Sequence, residues 1–247
     1  MDGGALTFAV VAGPANGTLS GTAPNLTYTP NTGFFGNDSF TFQANDGLTD
    51  SALATVSITV FEGPGPLPAG WAGQDVGAVG IAGTASYTSG TGAYTVSGSG
   101  TGFSTDQFQY AWQTLSGDGE IKARITGLNA TTSMAQAGVM IRETTAVGSK
   151  SYFVGRRNDG KVSYTRRSNT GGSVNTGTST AVAPYWVRLV RVGKTITSYK
   201  SVNGVAWTKV NSTSITMASQ ITIGLAVTSA SNSAAATATF DNVTVVP

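Results

Sequence analysis

Short runs of alternating apolar and polar residues recur along the chain, and a period of two residues is typical of β-strands with one buried face. Turn residues such as Gly, Pro, Asn and Asp separate the runs, and no helix longer than one turn is predicted. After residue 70 there are about a dozen runs, as in a two-sheet jelly roll. They span 78–82, 93–98, 107–114, 119–126, 137–143, 151–156, 162–167, 186–210 (three strands), 221–228 and 236–246. The pattern predicts an all-β protein.

The segment from Pro184 to Val210 predicts a meander of three antiparallel strands. Two-residue turns are expected at Gly193-Lys194 and at Asn203-Gly204, because Asn-Gly is the strongest short hairpin signal. Such turns would create two cross-strand rows, one of Arg188, Tyr199 and Thr208 and one of Val187, Lys200 and Trp207. Both faces of the meander are half apolar, so the pattern leaves open which face is buried.

The N-terminal part of the chain has alternating runs of its own, at residues 5–12, 26–29, 38–44 and 52–61. Phe40 and Phe42 fall on one face of the third run, and Val56, Ile58 and Val60 fall on one face of the fourth. These runs predict half of a Greek-key sandwich.

Charge divides the chain into two parts. Residues 1–63 contain five acidic residues and no Lys or Arg, whereas residues 64–247 contain seven acidic and fourteen basic residues, so the parts carry −5 and +7. The segment 63–70 is rich in Pro and Gly and is predicted to be a short, stiff linker. We therefore expect an N-terminal domain at 1–62 and a C-terminal domain at 71–247.

Composition excludes several kinds of chemistry. The chain has no histidine, which rules out His-based acid–base catalysis, Ser-His-Asp triads and His-ligated zinc. It has no cysteine either, but a chain of this length can fold without disulfides, so that absence does not indicate a compartment. No apolar run is long enough to cross a membrane, and membrane insertion is not expected.

An ordered set of motifs occurs in the N-terminal domain. They are Tyr28-Thr-Pro-Asn31, Gly33-Phe-Phe-Gly36, Asp38-Ser-Phe-Thr-Phe42, Asp46-Gly47 and Ala54-Thr-Val-Ser-Ile-Thr-Val60. This run resembles the cadherin-like, Ig-like repeats of bacterial surface proteins. Such repeats normally have a further strand and further acidic residues before the Asp-Gly that stands here as Asp2-Gly3.

The missing opening strand would leave an unpaired sheet edge in the N-terminal domain. One explanation is that the domain is shortened or that the sequence starts within it. The other is that the edge accepts a strand from another copy of the protein, which would make the chain a subunit of an extracellular fibre or sheath.

A second set of motifs covers nearly all of residues 68–247. In order, they include Trp71-Ala-Gly-Gln-Asp-Val-Gly77, Tyr94-Thr-Val-Ser-Gly-Ser-Gly100, Leu115-Ser-Gly-Asp-Gly-Glu-Ile121, Ala137-Gly-Val-Met-Ile-Arg-Glu143, Trp186-Val-Arg-Leu-Val-Arg191, Ile223-Gly-Leu-Ala-Val-Thr228 and Phe240-Asp-Asn-Val243. They resemble a concanavalin A-like module appended to secreted bacterial carbohydrate-active enzymes and cell-surface proteins. The resemblance implies a jelly-roll sandwich of the lectin/glucanase type, but it names no ligand.

A structural calcium ion is one candidate ligand. If the first and last strands of the jelly roll pair, Asp75 and Asp241 could meet and, with Asn242, offer oxygen ligands to Ca²⁺. The alternative is that each carboxylate accepts hydrogen bonds from backbone amides in its own turn.

Sugar binding requires an exposed aromatic ring surrounded by hydrogen-bonding groups. Trp207 is the best candidate, with Lys200 and Arg191 as predicted neighbours on the same face and Tyr185 nearby. The alternative is that Trp207 belongs to the core and that the other face of the meander is solvated.

Catalysis and nucleic-acid binding are not expected. A glucanase needs two nearby carboxylates, and the nearest pair, Asp118 and Glu120, is interrupted by glycines that favour a turn. The basic residues around the predicted turn at 158–160 alternate between faces and lack interleaved aromatic residues. We therefore expect a non-catalytic, extracellular or cell-surface binding or adhesion module that recognises polysaccharide.

Overall fold

The computed structural model describes residues 5–179 and 186–247. The chain divides into two compact units, Met1–Gly63 and Pro64–Pro247. Within the described residues the regular secondary structure is β-strand, which confirms the all-β prediction. No helix in this part of the chain is long and apolar enough to cross a membrane.

The first unit is a small β-sandwich. Its strands are β1 (Thr7–Ala12), β2 (Gly17–Thr22), β3 (Asn25–Pro30), β4 (Gly36–Asn45) and β5 (Ala54–Val60). One sheet has the order β1-β4-β5 and the other is the β2-β3 hairpin, with antiparallel pairing in both. Phe42 lies opposite Val10 and Phe40 lies opposite Val56, so their apolar side chains share one face.

The sandwich of the first unit is open. Among its described residues no hydrophobic side chain is buried, whereas Asp38 is only 8% exposed. A groove of about 430 Å³ is lined by side chains of both sheets, including Phe8, Val10, Leu19, Leu26, Tyr28, Phe40, Phe42, Val56 and Ile58. The apolar interior of this unit is therefore accessible from outside.

Asp38 on β4 connects the two sheets of the first unit. Its carboxylate accepts hydrogen bonds from the amides of Ala15 and Asn16 at 3.0 and 2.9 Å and from the Tyr28 hydroxyl at 2.9 Å. Desolvation acts to raise the pKa of Asp38, but these donors outweigh it and the pKa lies below its ordinary value. The ionised carboxylate is thus the form that the fold stabilises.

The second unit is a sandwich of two antiparallel sheets. The first, which we call the meander sheet, has the order β17-β16-β15-β10-β19-β8-β7, and the second, the back sheet, has the order β14-β13-β12-β11-β18-β9-β6. The strands of the meander sheet are β7 (Thr84–Thr88), β8 (Ala93–Gly100), β10 (Gly119–Asn129), β15 (Trp186–Val192), β16 (Thr195–Ser201), β17 (Thr208–Ser214) and β19 (Ser231–Val246). Those of the back sheet are β6 (Ala72–Val76), β9 (Phe108–Ser116), β11 (Gln136–Arg142), β12 (Ser151–Arg157), β13 (Val162–Arg167), β14 (Val174–Ser179) and β18 (Gln220–Thr228).

The main core lies between these two sheets. Its buried side chains alternate along the strands and include Val96, Ile121, Ile125, Val139, Ile141, Tyr152, Val187, Leu189, Ile196, Ile223, Leu225 and Phe240. Tyr152 brings a hydroxyl group into this core, and that hydroxyl lies 3.0 Å from Ser198 Oγ. Burial, with the coulombic effect of Tyr164, raises the pKa of Tyr152 to about 12 although the hydrogen bond to Ser198 opposes the shift.

A second hydrophobic cluster covers the outer face of the back sheet. It contains Val76, Phe103, Phe108, Tyr110, Met140, Phe153 and Ala226, with Trp112 packed partly against it. Phe103 comes from the loop before β9, and its ring centroid lies 3.9 Å from that of Phe153. Phe108 and Tyr110 on β9 are both fully buried in this cluster.

A buried ion cluster holds the loops over this second hydrophobic cluster. Asp106 is 0% exposed and pairs with Arg142 at 2.9 Å and with Arg167. The Asp106 carboxylate also accepts the Gly148 amide at 2.7 Å, and Arg142 donates to the Ala146 carbonyl at 2.7 Å. One carboxylate thereby connects β11, β13 and two loops.

The first hairpin of the meander has the predicted register. Arg188 lies opposite Tyr199, and Val187 lies opposite Lys200. Val187, Leu189 and Ile196 are at most 1% exposed. The face that carries them is therefore the buried one, which settles the choice that the sequence left open.

The third strand of the meander pairs antiparallel with the second as predicted, but the predicted turn and register of this second hairpin are wrong. A loop at 202–207 connects β16 and β17 in place of a two-residue turn at Asn203-Gly204. Tyr199 lies opposite Lys209, one residue beyond its predicted partner. A shift of one residue turns side chains to the other face, so Trp207 does not share a face with Lys200.

Side-chain hydrogen bonds account for the longer loop. Asn203 Oδ1 accepts the amides of Val205 and Ala206, both at 3.0 Å, and Ser201 Oγ accepts the amides of Asn203 and Gly204 at 3.2 and 2.9 Å. Such local bonds compete with the backbone bonds of a tight hairpin. A β-bulge interrupts the β16–β17 ladder next to this loop.

The Pro/Gly-rich segment at 63–70 is partly attached to the second unit. Gly65 forms an antiparallel bridge with Tyr87, with N···O distances of 2.8 and 3.0 Å. Leu67 packs against the main core. The segment was expected to be a linker along its whole length, and these contacts fix part of it.

Candidate functional site

The outer face of the meander sheet carries five large side chains that contact one another in two groups. They are Arg124 on β10, Trp186 and Arg188 on β15, Tyr199 on β16 and Trp207 in the loop after β16, and we call them the arginine–aromatic surface. Arg124 lies opposite Trp186, and Arg188 lies opposite Tyr199. The alternation that buries Val187 and Leu189 is what turns these side chains outward.

Each arginine of this surface lies over an aromatic ring. The guanidinium carbon of Arg188 is 5.7 Å from the ring centroids of both Tyr199 and Trp207. That of Arg124 is 5.8 Å from the centroid of Trp186. These are cation–π distances, and the contacts hold the rings in defined positions at a partly exposed surface.

Two carboxylates orient the two guanidinium groups. Arg188 Nε donates to Glu120 at 3.0 Å, and Arg124 Nε donates to Asp241 at 2.7 Å, while a second nitrogen of each arginine contacts the same carboxylate. Hydrogen bonds from Arg124 lower the pKa of Asp241 below its ordinary value. The arginine–aromatic surface is therefore preorganised by ion pairs.

A shallow depression of about 290 Å³ lies beside Trp186. It is lined by Arg124, Thr126, Trp186 and Val202. Gly204 packs directly on the Trp186 ring, since a Cβ atom added there would lie 2.8 Å from the ring. The depression combines an indole ring with a guanidinium and a hydroxyl group, which are the groups that a hydroxyl-rich ring ligand requires.

Of the three predicted sugar-binding residues that the structure describes, only Trp207 lies on this surface. Arg191 is 6% exposed and donates to the Ala218 carbonyl at 2.9 Å, and Lys200 Nζ donates to Ser179 Oγ at 3.0 Å. Arg191 and Lys200 lie in the inner rows of the meander sheet, whereas the one-residue shift in the β16–β17 pairing turns Trp207 to the outer face. Tyr185 lies outside the described residues.

The predicted calcium ligands are not brought together as expected. The first and last strands of the second unit do not pair, since β6 pairs with β9 and β19 pairs with β8 and β10. Asp75 accepts the Gly83 amide at 3.0 Å, and Asp241 is bound to Arg124. Asn242 follows Asp241 with φ +49°, in the left-handed region. No cluster of three or more acidic residues occurs within the described ranges, and calcium binding stays a prediction.

Asp118 and Glu120 have separate structural roles. Asp118 Oδ1 accepts the Gly193 amide at 2.6 Å and so connects the turn before β10 to the β15–β16 turn. Glu120 is the partner of Arg188.

Sequence reasoning missed four members of the arginine–aromatic surface and both carboxylates that orient it. The available signal was that these side chains occur at every second position of a strand and so share one face. They are Glu120, Lys122 and Arg124 on β10, and Trp186 and Arg188 on β15. It could not show which strands are neighbours, because contacting residues such as Arg124 on β10 and Asp241 on β19 are 117 residues apart in the sequence.

Comparisons with known proteins address the fold. Residues 1–59 match the bacterial Ig domain family. This match confirms the Ig-like prediction for the first unit. No curated protein sequence matches the chain.

Several solved structures are similar to the chain at low sequence identity. A functionally unknown protein from Saccharomyces cerevisiae is 14% identical with a TM-score of 0.52, over 63% of this chain and 88% of that chain. A xylan β-1,4-xylosidase from Bacillus halodurans C-125 is 10% identical with a TM-score of 0.47, over 91% of this chain and 52% of that chain. A carbohydrate-binding module of the β-sandwich superfamily is 11% identical with a TM-score of 0.28, over 100% of this chain and 87% of that one. At such identities the likeness concerns the fold alone, and the concanavalin A-like assignment stays a prediction.

Proposed function

We propose that the chain is a non-catalytic, extracellular carbohydrate-binding module, with the arginine–aromatic surface as its glycan site. The observation that carries this proposal is the placement of Trp186, Tyr199 and Trp207 on one outer face, each under an arginine held by a carboxylate. Aromatic rings cover the apolar face of a pyranose, and the surrounding charged and hydroxyl groups hydrogen-bond to its hydroxyls.

The roles of the carboxylates support binding rather than turnover. Glu120 and Asp241 are each occupied by an arginine, and Asp118 is occupied by a backbone amide. An acid–base glycosidase needs one carboxylic acid to donate a proton and a second carboxylate to act as base or nucleophile.

The test is a glycan-binding screen with a hydrolysis assay on the same glycans. We expect binding without turnover, and we expect Trp207→Ala and Trp186→Ala each to weaken binding by about threefold to tenfold, since an aromatic contact contributes roughly 0.5–1.5 kcal/mol. Phe61→Ala is the matched control, because this ring is 84% exposed and lies in the first unit. Release of reducing sugar, or equal binding by all three variants, would contradict the proposal.

A second candidate function is self-assembly through the first unit. The observation that favours it is the open apolar groove between β1-β4-β5 and β2-β3. We propose that a strand from another copy occupies this groove, because edge strands offer unpaired backbone groups and the charges of −5 and +7 on the two parts of the chain attract one another between copies.

Light scattering over a range of concentration and salt tests this second function. We expect larger particles at high concentration and low salt, and we expect Val10→Glu, which places a charge in the groove, to abolish them. A monomer under all these conditions would exclude the assembly function and leave the glycan proposal unaffected.

A further inference from the structure

The outer face of the meander sheet also carries a straight cross-strand row of polar and charged residues. Lys122 lies opposite Arg188, Arg188 opposite Tyr199, and Tyr199 opposite Lys209, on the four neighbouring strands β10, β15, β16 and β17. Adjacent strands are about 4.8 Å apart, so the row from Lys122 to Lys209 is about 14 Å long. It crosses the arginine–aromatic surface through two of its members.

Positive charge is in excess on this face. Glu120 neutralises Arg188 and Asp241 neutralises Arg124. Lys122 and Lys209 take part in none of the ion pairs found among residues 5–179 and 186–247. Two lysines without a carboxylate partner therefore stand at the two ends of the row.

The row also contains a repulsion that a ligand could relieve. Lys122 and Arg188 are directly opposed on neighbouring strands, and like charges in that position destabilise a sheet. Glu120 accounts for only one of the two positive charges. A carboxylate placed between Lys122 and Arg188 would be attracted by both, whereas a neutral sugar would gain nothing from the excess charge.

From this arrangement we infer that the preferred ligands are acidic polysaccharides, whose carboxylates contact Lys122 and Lys209 while a sugar ring between them packs on Tyr199 and Trp207. The inference rests on the proposed glycan-binding function and adds the class and direction of the ligand. The polysaccharide lies across the strands, along the row. Because the lysines are exposed or partly exposed, the attraction is screened by salt.

The experiment compares acidic polymers with their own neutral derivatives. Polygalacturonate, alginate and hyaluronate, each intact and after reduction of the carboxyl groups, are tested against the full chain at low and high NaCl. We expect at least one acidic polymer to bind about tenfold or more tightly than its reduced form at low salt, and we expect the preference to shrink as salt rises.

Variants that remove positive charge test whether the row from Lys122 to Lys209 causes the preference for acidic polymers. Lys122→Gln with Lys209→Gln should abolish the preference for the acidic form, while Lys161→Gln with Lys194→Gln, which removes the same net charge elsewhere, should keep it. Thermal unfolding of both double variants checks that each retains the fold.

Each outcome bears on a different statement. Equal binding of the acidic and reduced polymers would overturn this inference and leave the glycan-binding function standing. A preference that survives Lys122→Gln with Lys209→Gln would overturn the row as its cause. Failure to bind any of these polymers, or the neutral glycans of the wider screen, would overturn the proposed function itself.

Discussion

Asp38 is the one buried residue among the described residues of the first unit. It is buried where the hydrophobic side chains around it are not, and its carboxylate accepts hydrogen bonds from two segments outside its own strand. Its pKa is lowered, so its ionised form stabilises the folded unit above the ordinary pKa of an aspartate, about 4. That stabilisation is lost as the pH falls through the lowered value.

Asp38→Ala is therefore expected to lower the unfolding temperature of the first unit at neutral pH. The difference between the native protein and the variant should shrink as the pH is lowered below about 4, because the native carboxylate then becomes protonated. Calorimetry at a series of pH values measures both effects. A difference that stays constant down to strongly acidic pH would contradict the role of the charged form.

Gly204 has a more local role. It adopts φ +74°, and a Cβ atom there would press on the Trp186 ring. Gly193 in the preceding turn has φ +57° but open space around its Cβ position. The two glycines thus share a backbone constraint and differ in what a side chain would contact.

Gly204→Ala should destabilise the second unit more than Gly193→Ala does. Both variants incur about 1–2 kcal/mol from the left-handed conformation, and only Gly204→Ala must also displace Trp186. It should weaken glycan binding as well, whereas Gly193→Ala should not. Urea unfolding measures the stability of the two variants, and a binding titration measures their affinity for glycan. Equal stability and equal affinity would show that the contact with Trp186 has no effect.

Among the elements, the loops over the back sheet are held by a single buried carboxylate. Asp106 forms ion pairs with both Arg142 and Arg167, which are 0% and 6% exposed. Removal of one partner from a buried ion cluster leaves charge without compensation in a region of low polarity.

Asp106→Ala is expected to cost about 3–5 kcal/mol of unfolding free energy. Lys161→Ala, which breaks a 3.5 Å pair of a lysine that is 47% exposed, should cost less than about 1 kcal/mol. Urea unfolding of the two variants gives the comparison. Similar small losses would indicate that the buried cluster contributes little to stability.

The strands and turns of the meander show which parts of the fold could be predicted from the sequence. Strands were predictable because Val187, Leu189 and Arg191 alternate with outward residues, and the first hairpin followed from Gly193-Lys194. The longer loop of the second hairpin was not predictable, because side-chain hydrogen bonds of Ser201 and Asn203 override the Asn-Gly preference. One residue of shift was enough to separate Trp207 from its expected neighbours.

The functional surface depended on information that local pattern does not contain. Its arginines come from β10 and β15, and their carboxylate partners lie 68 and 117 residues away along the chain. Alternation places each side chain on a face, but it does not tell which strands are neighbours. The order of strands in the sheet shows which strands are neighbours.

At the scale of the whole molecule, the two units differ in how they hold their apolar residues. The second has two hydrophobic clusters of buried side chains, and the described part of the first has none. Stability follows largely from apolar burial.

The first unit should therefore unfold at a lower temperature than the second. A chain consisting of residues 64–247 should keep the unfolding transition of the second unit and lose the lower-temperature transition of the first. It should also keep its affinity for glycan. Calorimetry of the full chain and of this shorter chain checks the assignment. A single transition shared by both units, lost as a whole on truncation, would contradict it.

The four tryptophans of the chain divide by place in the fold. Trp71 and Trp112 pack partly against the two hydrophobic clusters, whereas Trp186 and Trp207 lie on the outer face of the meander sheet. The fluorescence emission of the two surface indoles changes when a ligand binds against them. The emission of the other two indoles changes less, because they pack against the hydrophobic clusters. The protein thus contains its own fluorescent reporter, whose emission should shift or be quenched when a saccharide arrives, without any attached dye.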